Sequence, residues 1–203
     1  MATPWTDSVR TSKRLSIHPL ASVDKGLWKI SFQRSVHNLN LLLKANGIGV
    51  TLVVPTGSHD SGTGDDVRVE AADGDISVSY GGTSTSREKF DGARLHGRTL
   101  PASVGDKIEK AFVFLSARPQ INTPKGRRPA GANIIELIAM HEMVHACGLA
   151  DSDHSTDDIF QANPAVDYGS SPAADRVLLP GGKSMPPFKL GAQTIAKLKM
   201  LWP

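Results

Sequence analysis

The sequence predicts an α+β fold, in which a mixed, twisted sheet is combined with one early helix, one buried helix and one C-terminal helix. Three observations favour it: an amphipathic stretch in the first quarter, β-branched and alternating segments in the middle, and a later stretch that is apolar on nearly every side. The chain has 203 residues, which suits one domain with a sizeable core. We expect an N-terminal tail at residues 1–20 and a single domain at residues 21–203.

The helices are predicted from apolar spacing and from stop signals. The first, residues 32–46, ends at an Asn-Gly pair. The second, residues 134–147, is apolar on nearly every side, which is typical of a buried helix, and Gly148 ends it. The third, residues 190–202, again directs apolar residues towards a core. The buried stripe of the first helix is expected to consist of Phe32, Val36, Leu39 and Leu43.

The strands are predicted from short apolar or alternating segments. Asp73 and Gly74 separate two alternating segments, which predicts a β-hairpin. Strands are expected at residues 27–32, 49–54 and 111–115, with a short edge strand at residues 93–100. Irregular loops are expected at residues 119–131 and 152–187.

The composition indicates an ordinary globular protein. Hydrophobic residues make up 39%, charged residues make up 21%, and the formal net charge is +3, a balance that argues against a disordered chain. No apolar stretch is long enough to span a bilayer, and residues 1–20 lack the apolar segment of a signal peptide. We therefore expect a soluble protein that is cytoplasmic by default, makes no membrane contact and is monomeric by default.

Two local features are interpreted as structural. The basic run at residues 125–128 is expected to be a solvated loop, so no nucleic-acid partner is expected. Cys147 is the only cysteine, so no intrachain disulfide can form, and we expect it to be a small buried core residue.

The second helix carries the pattern His141-Glu142-Met143-Val144-His145. Two histidines four positions apart lie on one helical face, so both imidazoles can reach the same metal ion. A catalytic zinc site keeps one position open for water, and Glu142 can accept a proton from that water. In an apolar helix these side chains would otherwise be buried polar groups in need of partners. We therefore predict His141 and His145 as zinc ligands and Glu142 as the general base.

With Gly148 three residues after His145, this segment resembles the metzincin zinc peptidases, whose motif is HExxHxxG followed by a third ligand. The resemblance implies a metzincin-like (zincin) catalytic domain, a matrixin-like zinc endopeptidase activity and a peptide or protein substrate. It also implies a methionine-containing turn beneath the zinc, for which Met185 is the candidate. Only residues 141–148 match the family motif closely.

The third zinc ligand has two candidates. Asp151 stands at the family's spacing, and an aspartate there is typical of the snapalysin-like branch. His154 comes three residues later and is followed by Ser155, a pair that is common at the third ligand of matrixins. We favour His154 and keep Asp151 as the alternate; the residue that does not bind is expected to orient a ligating histidine.

The resemblance also implies where a substrate and calcium would bind. Metzincin substrates pair with an edge strand, for which residues 95–100 are the candidate. Tyr168 and the glycine pair at residues 181–182 are expected in the wall of the pocket. Matrixins often bind calcium, although no recognised calcium loop is present here. The calcium candidates are Asp60, Asp65, Asp66, Asp73 and Asp75.

Two functions of other classes stay open. One is a zinc amidase that acts on a small or cell-wall substrate with the same ligands and base. The other is a binding module in which a structural zinc is closed by four protein ligands, with Asp151 and His154 both bound.

Overall fold

The computed structural model describes residues 2–55, 65–80, 83–94 and 97–203. Its helices are α1 (Asp7–Ser12), α2 (Ala21–Asp24), α3 (Trp28–Ala45), α4 (Ala132–Ala146) and α5 (Ala192–Leu201). Its first strands are β1 (Arg14–Pro19), β2 (Thr51–Val53), β3 (Val67–Ala72), β4 (Gly74–Tyr80), β5 (Thr83–Phe90) and β6 (Gly97–Val104). The later strands are β7 (Lys107–Ser116), β8 (Gln120–Thr123), β9 (Gly126–Pro129), β10 (Val166–Asp167), β11 (Arg176–Leu179) and β12 (Lys183–Met185).

The central sheet has five strands in the order β2-β1-β3-β7-β6. β1 pairs in parallel with β2 and β3, and β3 pairs in parallel with β7, whereas β6 joins β7 antiparallel. The sheet is therefore mixed, as predicted, and β6 is one of its edges. The edge strand expected at residues 93–100 is confirmed only from Gly97, where β6 begins; β6 continues to Val104. Residues 93–94 lie in a turn, and Leu95 and His96 lie outside the described residues.

Both faces of the sheet are covered. In β7, Ala111, Val113 and Leu115 join the main core with helices α3 and α4, whereas Phe112 and Phe114 pack on the opposite face against the β4–β5 hairpin. Successive side chains of a strand point to opposite faces, so a strand covered on both sides is apolar throughout. This explains the continuous apolar run that correctly predicts a buried strand at residues 111–115.

The early helix is longer than the sequence pattern predicts. The strand expected at residues 27–32 is wrong, because α3 already begins at Trp28. Trp28 and Phe32 are buried and lie four positions apart, so they extend the buried stripe of the helix by one turn. The rest of the predicted stripe is confirmed: Val36, Leu39 and Leu43 are buried.

The hairpin predicted at Asp73 and Gly74 is also wrong. Both edges of β3 are occupied by β1 and β7, so β4 has no place beside it. Gly74, with φ of +89°, turns the chain out of the sheet, and β4 pairs with β5 instead. The resulting β4–β5 hairpin covers the outer face of the sheet.

Residues 2–20 do not form a tail. β1 lies inside the central sheet, and its alternate residues Leu15 and Ile17 are fully buried. Trp5 is also fully buried, and its indole Nε1 donates a hydrogen bond of 2.8 Å to the carbonyl of Ala146, at the end of α4. The mixture of charged and apolar residues is therefore the alternation of a half-buried strand rather than the composition of a free end.

Two segments expected to be irregular contain strands. Residues 119–131 include the hairpin β8–β9, in which Arg128 forms an ion pair with the fully buried Asp175. Part of the basic run is therefore held by the fold and is not a solvated loop. Residues 152–187 include the three-stranded sheet of β10, β11 and β12. In the described part of the chain, no helix combines the length and the apolar character needed to cross a membrane.

Candidate metal centre and cleft

Helix α4 and the turn after it bring three histidines together. His141 and His145 lie one turn apart on α4, which Gly148 ends with φ of +107°. A short 3₁₀ turn then leads to His154. The Nε2 atoms of the three rings are 3.1, 3.1 and 3.2 Å apart. Among the described residues, this is the only group of three or more His, Cys, Asp or Glu side chains close enough to hold one metal ion.

The hydrogen bonds of the Nδ1 atoms of His141 and His145 determine which ring nitrogen carries the proton. Nδ1 of His141 lies 3.1 Å from the carbonyl oxygen of Ile159, and Nδ1 of His145 lies 2.8 Å from that of Leu149. Because a carbonyl only accepts, both Nδ1 atoms carry the proton and both Nε2 atoms direct a lone pair into the cluster. Lone pairs at this distance repel one another unless a cation lies between them, so the three histidines could hold a metal ion.

Burial favours the neutral imidazoles that such a site needs. Burial lowers the pKa of His141 to about 3, and the neighbouring His145 and His154 add to the effect. Burial is also the largest cause of the lowered pKa values of His145 and His154. Neutral imidazole is the form that binds a metal ion, so none of the three rings has to release a proton near pH 7.

Asp151, the alternate third ligand, lies outside the cluster of nitrogens. Its Oδ1 is 3.7 Å from Nε2 of His145, and its Oδ2 accepts a hydrogen bond of 3.2 Å from Nη1 of Arg98. The side chain is 69% exposed. The geometry therefore favours His154 as the third ligand. Asp151 approaches Nε2 of His145 rather than Nδ1, so it does not orient that ring through its outer nitrogen.

The floor of the cluster is Phe160, a residue that the sequence analysis missed. Its ring centroid lies 5.1, 4.7 and 4.7 Å from those of His141, His145 and His154, and its side chain is fully buried. Met185, the candidate for the methionine turn, is buried at the end of β12, where it pairs with Val177 of β11. Its role beneath the histidines stays a prediction.

Glu142 reaches the cleft under the edge strand β6. Its side chain is only 4% exposed, and its Oε2 lies 2.7 Å from Oγ1 of Thr99. A Cβ atom at Gly97 would lie 2.3 Å from Cγ of Glu142, so only glycine leaves room for this side chain. Gly97 and Thr99 are two positions apart and face α4 together, because strand residues alternate between faces. The edge strand thus fixes the carboxyl group.

The pKa of Glu142 is raised to about 8, chiefly because the carboxyl group is buried. The hydrogen bond from Thr99 and the charge of Arg98 lower the pKa, and the charge of Asp151 raises it. A buried carboxyl group with a strongly raised pKa in a cleft is a candidate for proton transfer, although near pH 7 it is mostly in the acid form until a nearby cation stabilises the carboxylate.

The histidines open into a cleft along β6. A cavity of about 340 Å³ lies in front of the histidines. It is lined by the three histidines, Glu142 and Asp151, by Leu137 and Ile138 of α4, by residues 97–99 of β6, and by residues 161–164. A second cavity of about 210 Å³ shares Arg98, Thr99, His145 and Asp151 with the first, so the cleft continues along β6. Tyr168 and residues 181–182, which were expected in its wall, do not line it.

The calcium candidates do not form a site among the described residues. Asp65 lies beside Ser16 and His18, and Asp66 accepts from the backbone N–H of Ser16. The remaining described candidates are Asp73, which pairs with Arg118, and Asp75, which lies on β4; Asp60 lies outside the described residues.

Cys147 is buried, as predicted, and we expect it to be chemically inert in the folded protein. Burial raises its pKa to about 12, and the residue is fully buried. The thiolate is the reactive form, so a thiol reagent such as Ellman's reagent should leave the native protein unmodified and label one thiol per chain in denaturant. Rapid labelling of the native protein would contradict this packing.

Comparisons with known proteins do not assign the chain to a family. Neither a protein-family model nor a curated protein matches the chain. Conclusions about its function therefore rest on the geometry of the site.

Proposed function

We propose that the chain is a zinc-dependent endopeptidase in which His141, His145 and His154 hold the zinc ion and Glu142 is the general base. One observation carries the proposal. Three imidazole nitrogens converge at 3.1–3.2 Å beside a buried glutamate, in a cleft that follows an edge strand.

The ligand set fits zinc. Zinc–nitrogen bonds of about 2.0–2.1 Å in tetrahedral geometry separate ligand nitrogens by about 3.3–3.4 Å, close to the separation of these Nε2 atoms. Each of the two helix histidines donates its Nδ1 proton to a carbonyl, which is the usual support of a zinc-bound imidazole. When bound at a site with an open position, zinc lowers the pKa of water to about 7 and polarises a carbonyl group.

An open site favours catalysis over a structural role. A structural zinc is closed by four protein ligands. The available fourth side chain is Asp151, but its carboxylate is paired with Arg98 and is largely exposed. Three nitrogens with a cleft in front of them therefore support an enzyme.

The residues around the cluster have separate tasks. Glu142 accepts a proton from the attacking water and passes it to the leaving amine, while Thr99 holds its carboxyl group in place. A dication beside Glu142 would stabilise its carboxylate form, which counteracts the effect of burial on its pKa. The fully buried ring of Phe160 covers the inner side of the cluster, so the three histidines are open only towards the cleft.

The edge strand β6 supports an extended peptide as the substrate. In the described part of the chain β6 pairs only with β7, so one row of backbone groups remains available for an added strand. The cleft along β6 is longer than a small amide requires, since two adjoining cavities follow the strand. Leu137 and Ile138 offer an apolar wall beside the histidines.

A peptide-library assay tests the proposal. The purified protein should cleave peptides internally, lose this activity with 1,10-phenanthroline and regain it when zinc is added back. Cleavage of small amides without cleavage of peptides would replace the endopeptidase by an amidase. A zinc-loaded, folded protein that hydrolyses neither class would overturn the enzyme proposal.

Gly97→Ala is expected to impair catalysis without removing the metal. The new methyl group would meet Cγ of Glu142 at 2.3 Å, so the carboxyl group must move away from Thr99. Because misplacing a catalytic group by about 1 Å can cost about 100-fold, we expect kcat to fall by roughly that factor. The zinc content should stay unchanged. Ser103→Ala, at an exposed position of the same strand, is the control, and unaltered kcat in Gly97→Ala would contradict this role of the strand.

A further inference from the structure

The loop from His154 to Gln161 folds around one buried carboxylate. The backbone N–H of Ser155 donates to the carbonyl of Phe160 at 3.0 Å, and Ser155 and Gln161 form an isolated β-bridge. Asp158 lies inside the loop and is fully buried. An acidic side chain without any exposure needs hydrogen-bond donors, and the loop supplies them.

Three donors face the two oxygens of Asp158. Oδ1 accepts from the hydroxyl of Ser155 and from the backbone N–H of Phe160, the latter at 2.7 Å. Oδ2 accepts from the backbone N–H of Gly191 at 2.6 Å, directly before helix α5. One carboxylate therefore fixes both ends of the loop and fastens the loop to the last helix.

Each of these contacts supports a different part of the histidine cluster. Ser155 directly follows His154, the third nitrogen donor. Phe160 is the floor under all three rings. Ile159, between Asp158 and Phe160, accepts the Nδ1 proton of His141 through its carbonyl. The loop thus supplies one ligand, the floor and the outer hydrogen bond of a second ligand.

We infer that Asp158 is the positioning residue of the metal centre: it does not touch the metal, but it fixes the loop that holds His154, Phe160 and the carbonyl of Ile159. The inference rests on the proposed function, because it assigns Asp158 a task in metal binding. The competing explanation is that Asp158 only fastens helix α5 to the domain. The two explanations differ in whether its loss changes the metal site or only the stability.

Asp158→Asn tests the inference with the smallest change in side-chain size. It keeps the size of the side chain, but both carboxylate oxygens accept a backbone N–H, so in either orientation the amide NH₂ of the variant faces a donor. The matched control is Asp175→Asn. Asp175 is also fully buried, and it accepts from Arg128 and from the backbone N–H of Gly131 before α4, away from the loop.

The experiment compares cobalt binding with folding stability. Full-length metal-free wild type, Asp158→Asn and Asp175→Asn are titrated with Co²⁺, whose visible absorption reports the ligand geometry, and are unfolded in urea without metal. Losing an outer partner of a metal site typically costs about 10- to 100-fold in affinity, and we expect this loss for Asp158→Asn. We also expect an altered Co²⁺ spectrum for it. Asp175→Asn should lose stability but keep the wild-type spectrum and affinity.

The outcomes separate this inference from the proposed function. A wild-type protein that binds no Co²⁺ overturns the metal site itself and this inference with it. If wild type binds Co²⁺ and Asp158→Asn has the same affinity and spectrum, only the inference is overturned. The same spectral change in Asp175→Asn would also overturn it, because the effect would then follow from general loss of stability.

Ser155→Ala tests the same inference if Asp158→Asn does not fold. This variant removes a single hydroxyl from the carboxylate and leaves both backbone donors in place. Weaker Co²⁺ binding with an altered spectrum supports the inference. Wild-type affinity and spectrum in folded Ser155→Ala, together with an unfolded Asp158→Asn, would reduce Asp158 to a structural residue and overturn the inference.

Discussion

Glu142→Gln is expected to give a folded protein that binds zinc with wild-type stoichiometry and has lost peptide hydrolysis. The amide has the size of the carboxyl group and can still meet Thr99, but it cannot accept a proton from water. General acid–base catalysis typically contributes about 10²- to 10⁴-fold to the rate. We therefore expect kcat to fall by about 100-fold or more. Steady-state kinetics on a cleaved library peptide, together with zinc analysis, measures both quantities.

The matched control for this prediction is Glu136→Gln on the same helix. Glu136 is 5% exposed, but its carboxyl group faces helix α3, where Arg34 and Asn38 contact it, rather than the cleft. The same chemical change there should leave kcat within a few-fold of wild type. Turnover by Glu142→Gln close to the wild-type rate would remove Glu142 from the mechanism.

His154→Ala is expected to weaken zinc binding far more than Asp151→Ala. His154 contributes one of three converging nitrogens, whereas Asp151 lies 3.7 Å from Nε2 of His145 and pairs with Arg98. Loss of a ligand should exceed the roughly 10- to 100-fold effect that is typical of an outer partner, and loss of Asp151 should fall at or below it. Competition with a chromophoric zinc chelator measures the affinities.

The reverse order of the two affinities would assign the third position to Asp151. Urea unfolding of both metal-free variants shows whether a loss of affinity reflects misfolding. Equal and large losses in the two variants, with both proteins folded, would instead favour a four-ligand structural site.

Much of the site could be predicted from the sequence because helical spacing alone places His141, Glu142 and His145. The third histidine of the cluster could not be fixed from spacing, since the 3₁₀ turn that leads to His154 leaves no periodic signal. Phe160 and Asp158 were missed for the same reason, because they lie in an irregular loop. Phe160 packs against histidines of helix α4, and Asp158 accepts a hydrogen bond from Gly191. These partners are distant in sequence, so no local pattern reveals the contacts.

The fold was predicted best where an element is apolar almost throughout, because such a run marks an element that is buried on every side. Helix α4 and the buried strand β7 are examples. Errors arose where local patterns are ambiguous or where tertiary pairing decides. The alternation at residues 27–32 also fits the first turn of α3. The Asp-Gly signal at residues 73–74 marks a real turn, but no local pattern reveals that β3 already has two neighbours.

The zinc content of the untagged protein, purified without added metal, tests the central claim most directly. Elemental mass spectrometry should find about one zinc per chain, as three histidine ligands with an open position require. The folded protein could instead hold no zinc and take up none on dialysis against a zinc salt. The histidine cluster would then not be a zinc site, and the proposal of a zinc peptidase would be contradicted.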